Sequence, residues 1–372
     1  MYYFLVVLTI ASTMGLESWL TLFNNFAVEV IALEGNQVGL IQSIREIPGF
    51  LAFLIVYVLL VIKEHRLSAL SIIILGLGMA VTGLLPSFSG LIFSTLIMSF
   101  GFHYFDATGD SLTLQYFDEE KSPWVFGKLG SLASITNIGI GIFIFGIAPL
   151  LNFTQLYLLI GGLIMTAGIW GITQNLTNSN LPPQRKNLVL RKKYGLFYFL
   201  TFMAGARRQI FMAFAVFLMV KNFHFSVREV TTLFVINNAL IYFLYPLIGK
   251  SIIRFGERKV LSLEYACLIF VFLAYASVHS KMIIAILYIL DQVFYTFHIA
   301  IQTYFQKIAD PGDIASSMSV SLTINHIAAV VLPALGGALW MIDYRIPFVG
   351  GAAFSLVSLM AVQKIKFQNQ TI

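Results

Sequence analysis

Apolar residues run along this chain in long blocks separated by short polar interludes. Twelve blocks can be drawn, at 3–31, 38–62, 68–85, 91–117, 123–151, 156–172, 194–220, 227–247, 260–278, 282–305, 314–341 and 346–362. A helix gains about 1.5 Å per residue, so crossing a hydrocarbon core needs about 20 mostly apolar residues. An open sheet would leave backbone groups unsatisfied in lipid, and a barrel would show short strands of alternating polarity, which the blocks do not. The pattern therefore predicts an all-α membrane protein of twelve transmembrane helices. The first block is too long for a signal-peptide core. It also lacks a charged leader and a small-residue cleavage site, so it reads as a retained span.

Composition supports this reading. Of 372 residues, 58% are hydrophobic and only 11% charged, against about 25% charged in soluble domains. A water-soluble globule and a disordered chain are both excluded. The single cysteine, Cys267, excludes an internal disulfide framework and a cysteine-based zinc site.

The net charge of +6 is explained by loops on one side of a membrane, without nucleic acid. Lys63, Arg66, Lys121, Lys128, Arg185, Lys186, Arg191, Lys192, Lys193, Lys250, Arg254, Arg258, Lys259, Lys307, Lys364 and Lys366 fall on one side of the predicted spans. Only Lys221, Arg228, Lys281 and Arg345 fall on the other, a 16:4 split. The positive-inside rule then places both termini in the cytoplasm. Short loops and the lack of added domains suggest a bacterial inner membrane.

The longest polar stretch, Thr173–Lys193, contains Asn178-Ser179-Asn180 and Pro182-Pro183 and divides the spans six and six. It predicts a six-helix bundle at 1–174, a cytoplasmic linker at 175–193 and a second bundle at 194–372. A shift of 188 residues superposes Tyr116-Phe117 on Tyr304-Phe305, Pro123 on Pro311, Ser131 on Ser319 and Asn137 on Asn325 without a gap. This register favours duplication of a six-span unit.

Six plus six helices, a basic central loop and internal termini resemble the major facilitator superfamily. The loop after span 8, Gly249-Lys250-Ser251-Ile252-Ile253-Arg254-Phe255-Gly256-Glu257-Arg258-Lys259, is similar to that family's Gly-x-x-x-Asp-Arg-x-Gly-Arg-Arg loop. Ile253 stands where the family has its acid, and Glu257 where it has a basic residue. The equivalent loop after span 2, Lys63-Glu64-His65-Arg66, keeps charge but no glycine. The resemblance implies two pseudo-symmetric bundles in the family fold, and a gating loop at Gly249, Arg254, Gly256 and Arg258. Span 5 has no Gly-Pro motif of the drug–proton antiporters. Pro333-Ala334-Leu335-Gly336-Gly337 resembles its ending but lies in span 11.

Ionisable residues inside spans are costly and normally face a bundle interior or a watery cavity. Glu17, His103, Arg207 and Asp291 sit near mid-depth of spans 1, 4, 7 and 10. The resemblance implies that these four helices line a central cavity. A shift of 190 places Glu17 opposite Arg207, and one of 188 places His103 opposite Asp291.

His103, Asp106 and Asp110 share one face of span 4, and Asp291, Tyr295 and His298 share one face of span 10. Glu17, His103, Arg207, Arg208, Asp291 and Tyr295 are therefore expected substrate contacts. Asp106, Asp110 and His298 are expected proton carriers, since carboxylates and imidazole exchange protons. Adjacent residues point about 100° apart, so only one of Arg207 and Arg208 is expected to face the cavity squarely.

Plainer roles compete. Asp110 reads equally as a headgroup-level residue. Arg45 and Glu46 read as structural, Arg45 pairing with Glu17 for example, and His326 as a packing residue. His65, His224 and His279 are placed in loops, and Glu29, Glu34 and Glu264 near span ends, solvated. Pro48-Gly49, Pro246 and Pro333 are expected to interrupt spans 2, 8 and 11. Gly139, Gly141, Gly336 and Gly337 are expected at close helix contacts.

The leading expectation is a monomeric secondary transporter that moves a small solute by alternating access, coupled to protons. It is not expected to be an enzyme or to hold a cofactor. No nucleotide-binding loop, His-x-x-x-His or His-Glu-x-x-His pair, or Gly-x-Ser-x-Gly turn is present. The alternatives are an intramembrane enzyme, a solute sensor, and a divalent-metal carrier using His103, Asp106, Asp291 and His298.

Overall fold

The computed structural model describes residues 1–33, 35–177, 181–185, 187–225 and 227–365. Glu34, Asn178-Ser179-Asn180, Lys186 and Lys366 lie outside the described residues, as do the side chains of Arg228, Pro333 and Ala334. The regular elements of the described residues are all helical, with no strand.

Helix α1 is Tyr2–Asn25, extended by a π turn at Phe26–Val30. Span 2 is an interrupted helix, α2, made of Gly35–Arg45, Ile47–Phe50, the 3-10 turn Leu51–Leu54 and Ile55–Val58. Helices α3 (Glu64–Thr82), α4 (Phe88–Tyr116), α5 (Ser122–Ile147) and α6 (Phe153–Thr173) follow. After the linker come α7 (Gly195–Phe223), α8 (Val227–Phe255) and α9 (Glu257–Ser277). Helix α10 runs Lys281–Tyr295, tightens to a 3-10 turn at Thr296–His298 and resumes over Ile299–Ile308. Helices α11 (Ile314–Ile342) and α12 (Arg345–Val362) complete the twelve. Eleven helices among the described residues are long and apolar enough to cross a membrane, and α11, at 29 residues, has ample length.

Local chemistry sets several ends. The Ser87 hydroxyl accepts from the Gly90 N–H at 3.1 Å and opens α4. Asn152 and Gln155 form a reciprocal capping box at the start of α6, at 2.9 and 3.1 Å.

Two of the three prolines act otherwise than expected. Pro48 does lie at the break in α2, where the Thr323 hydroxyl accepts from the Phe53 N–H at 2.9 Å. The chain runs helical through Pro246 in α8 and through Pro333 in α11. A proline deletes one donor and bends a helix, but the turns on either side can hold it.

The chain forms two compact units. The first comprises Met1–Asp118, Lys128–Leu190 and Asp310–Thr323; the second comprises Glu119–Gly127, Arg191–Ala309 and Ile324–Ile372.

In the first unit, α3 is the central helix and packs on both α4 and α6. Glycines make this possible. A Cβ added at Gly78 would lie 2.3 Å from the Met98 backbone nitrogen, and one at Gly101 2.3 Å from that of Leu75. Of the four glycines expected at close contacts, Gly139, Gly141 and Gly337 face open space, and only Gly336 is crowded, by the Phe214 ring. Composition marks small residues but not the face on which a neighbour sits.

Polar side chains join the same helices. Thr108 donates to the Ser68 hydroxyl at 3.0 Å, and Gln115 to Glu64 at 2.6 Å. The described linker residues up to Leu190 belong to this unit and are bound to residues at the start of α11. Arg185 pairs with the fully buried Asp313 at 2.7 Å, and the Gln184 side-chain Oε1 accepts from the Ala315 N–H at 3.0 Å.

In the second unit, α9 packs on α12, and α7 lies against α12 and α10. Its core is aromatic: Phe211, Phe214, Phe272, Tyr275, Trp340 and Phe348 are all buried. The outward faces of both units carry exposed large apolar residues such as Phe145, Phe243, Phe270 and Met341, as lipid-facing surfaces do.

Candidate functional site

Helix α7 carries Arg207 and Arg208 at mid-length, in the second unit. Their side chains diverge as adjacent helical residues must. Arg207 is 4% exposed and turns toward α9 and α12. It lies 3.6 Å from the Glu264 carboxylate, stacks 4.4 Å above the Tyr265 ring and donates to the Ser358 hydroxyl. Arg208 turns toward α10, donating to Gln292 at 2.8 Å and stacking 4.1 Å from the Tyr295 ring centre. Both still reach one small cavity, lined also by Ala204, Glu264, Leu268, Asp291, Tyr295 and His298. Both reach it because a long side chain redirects its head group within the angle its Cα sets.

On α10 the predicted face is present. Asp291, Tyr295 and His298 all line this cavity. The 3-10 turn tightens the helix there. The Tyr295 ring stacks on His298 at 4.9 Å, and the His298 Nδ1 is 2.8 Å from the Tyr295 carbonyl oxygen. Asp291 is 5% exposed, and its Oδ2 has no hydrogen-bond partner among the described residues.

Glu264 corrects the sequence reading. It was expected near a span end and solvated, but α9 begins at Glu257, so Glu264 stands two turns inside. It is 3% exposed and serves as the counter-ion of Arg207. The neutral anchors Gln292 and Ser358 also escaped notice, because hydropathy does not mark them among ordinary polar residues.

The other expected residues are distributed differently. Glu17, in α1 of the first unit, is half-buried and makes no ion pair among the described residues. Arg45 pairs with Glu46, not Glu17; it also reaches Gln42 at 3.3 Å and lies 5.6 Å from the centre of the Trp19 ring. Both charges flank the break in α2, where the Ser99 hydroxyl donates to the Arg45 carbonyl. A Glu46 carboxylate oxygen lies within 4.8 Å of a ring nitrogen of buried His103. Along α4, His103 is buried, Asp106 exposed and Asp110 half-buried. His65 is not a loop residue but the second residue of α3, and it is buried.

The loop after α8 is built around two glycines. Gly256 has φ 80° and ψ 158°, a conformation essentially reserved to glycine. A Cβ at Gly249 would lie 2.4 Å from the Pro123 carbonyl oxygen. Arg254 is exposed beside Phe255, and Arg258 donates to Gln363 at 3.1–3.2 Å. Glu257, where the family pattern has a basic residue, is buried and paired with Lys307 at 2.9 Å.

The Major Facilitator Superfamily model matches residues 197–368, which include this site and loop. Solved structures extend the likeness to the whole chain. The outward-conformation transporter FucP is 12% identical over 99% of each chain, with a TM-score of 0.80. The chain thus has the fold of these transporters, and its second half matches the major facilitator superfamily model. A bacterial homologue of the iron transporter ferroportin is 14% identical over 98% of each chain, with a TM-score of 0.80. The human organic anion transporter MFSD10 (TETRAN) is 13% identical over 97% of each chain, with a TM-score of 0.74. No curated protein matches the chain in sequence. The apolar helices and this likeness make the chain a multi-pass membrane protein, with its twelve helices in the fold of these transporters.

Proposed function

We propose that the chain carries a small solute across a bacterial inner membrane by alternating access, with both termini cytoplasmic and proton movement supplying the drive. The observation that carries this reading is the cavity of the second unit, where two arginines, two buried carboxylates and an imidazole from α7, α9 and α10 converge. Buried charge is costly in a membrane protein, and its concentration at one cavity is the pattern expected of a solute and ion path. Carboxylates and imidazole can take up and release protons, whereas arginine keeps its charge and can hold an anionic group. The six-plus-six arrangement, divided at 175–193, supplies two bundles that can rock. In this reading Glu17 and His103, in the first unit, are further substrate contacts, and Asp106, Asp110 and His298 pass protons. The loop bearing Gly249, Arg254, Gly256 and Arg258 acts in gating. The arginines argue against a bare divalent cation as cargo.

The test is uptake into proteoliposomes under an imposed pH gradient. Accumulation should vanish when an ionophore collapses the gradient, and fall strongly in Asp106→Asn and Asp291→Asn. Transport indifferent to the gradient and to both substitutions would remove the proton-coupling claim.

A further inference from the structure

The cavity on α7, α9 and α10 contains four formal charges, and they are not equally satisfied. Arg207 and Glu264 form an ion pair: both are buried, 3.6 Å apart, and Arg207 is further held by Ser358 and the Tyr265 ring, while the Glu264 Oε2 keeps no hydrogen-bond partner among the described residues. Arg208 and Asp291 remain. They line the same cavity but make no ion pair with each other or with any other described residue. Arg208 spends one donor on Gln292 and lays its plane near Tyr295, which fixes its direction and leaves further N–H donors for a ligand. Asp291 is 5% exposed and keeps Oδ2 unpartnered. A positive and a negative group thus share a small space without closing to ion-pair distance.

We infer that the solute is a small zwitterion whose carboxylate meets Arg208 and whose ammonium group meets Asp291. This rests on the transport reading above and adds the substrate class to it. A monoanion would answer Arg208 and leave Asp291 buried without a partner. A monocation would answer Asp291 while facing two arginines. A neutral polyol would hydrogen-bond both groups but supply neither counter-charge. Only a ligand charged at both ends forms charge-assisted hydrogen bonds at each and offsets the desolvation of both residues. The small cavity calls for few atoms between the two ends.

The purified protein is screened by thermal unfolding against linear ω-amino acids from glycine to aminohexanoate, and against propionate, propylamine and L-fucose. At least one amino acid should bind tenfold or more tightly than the three controls. Arg208→Gln and Asp291→Asn should each abolish that preference, and Asp291→Glu should retain part of it. Reading the variants' own melting temperatures without ligand separates lost binding from lost fold.

Equal or better binding of propionate, propylamine or fucose overturns the assignment. So does the absence of binding by every amino acid, or an Asp291→Asn protein of unchanged preference. Proteoliposome uptake distinguishes the two readings. Gradient-driven uptake of a control solute without amino-acid binding sinks the zwitterion and leaves the transporter. Amino-acid binding without uptake of any tested solute does the reverse.

Discussion

Arg207 on α7 and Glu264 on α9 form a buried ion pair, 3.6 Å apart and each about 4% exposed. Breaking such a pair from one side strands a charge, at a cost of about 3–5 kcal/mol. Glu264→Ala should therefore lower stability by about 3 kcal/mol or more, read from denaturant unfolding in detergent. The double variant Glu264→Ala, Arg207→Met should recover much of the loss, because neither charge is then left alone. A double variant no better than Glu264→Ala would show that the two are not energetically coupled.

Glu257 and Lys307 form a second pair, at 2.9 Å, between the first turn of α9 and the end of α10. Beside it Gly256 adopts φ 80° and ψ 158°. Both Gly256→Ala and Gly256→Asn should cost about 1–3 kcal/mol, since no L-residue adopts that region at ease. An unchanged melting temperature in Gly256→Ala would mean that the loop relaxes into another conformation.

The break in α2 is supported from outside the helix, by the Thr323 hydroxyl on the Phe53 N–H. Thr323→Val keeps the volume and deletes the acceptor, and should cost about 1–3 kcal/mol. Thr323→Ser should be close to neutral. Thermal unfolding of the two variants side by side checks this.

Orientation is testable with single cysteines in a Cys267→Ser background. A membrane-impermeant thiol reagent should label Lys221→Cys and Lys281→Cys in intact cells. Lys63→Cys and Lys259→Cys should label only after permeabilisation. The opposite pattern would invert the chain in the membrane.

What the sequence made legible was local. Twelve apolar blocks became twelve helices because hydropathy over about 20 residues is set by the bilayer itself. The spacing of Asp291, Tyr295 and His298 placed them on one face because helical period fixes direction. Glu264 was misplaced because its helix begins three residues before the apolar block does, so that it looked terminal. Its pairing with Arg207, like that of Glu257 with Lys307, joins separate helices and leaves no trace in periodicity. Arg45 was assigned a distant partner when its neighbour Glu46 was available, because the break in α2 frees the two side chains to turn toward each other.

The backbone seam between α3 and α4, where Gly78 and Gly101 admit no methyl group, bears on how any loss-of-function survey of this protein is interpreted. Bulky replacements at these two sites would score as severely as changes at Arg208 or Asp291, yet for want of assembled protein and not of cargo recognition. Normalising transport to the amount of correctly inserted chain would therefore remove the glycines from the list of sensitive positions and leave the charged residues on it.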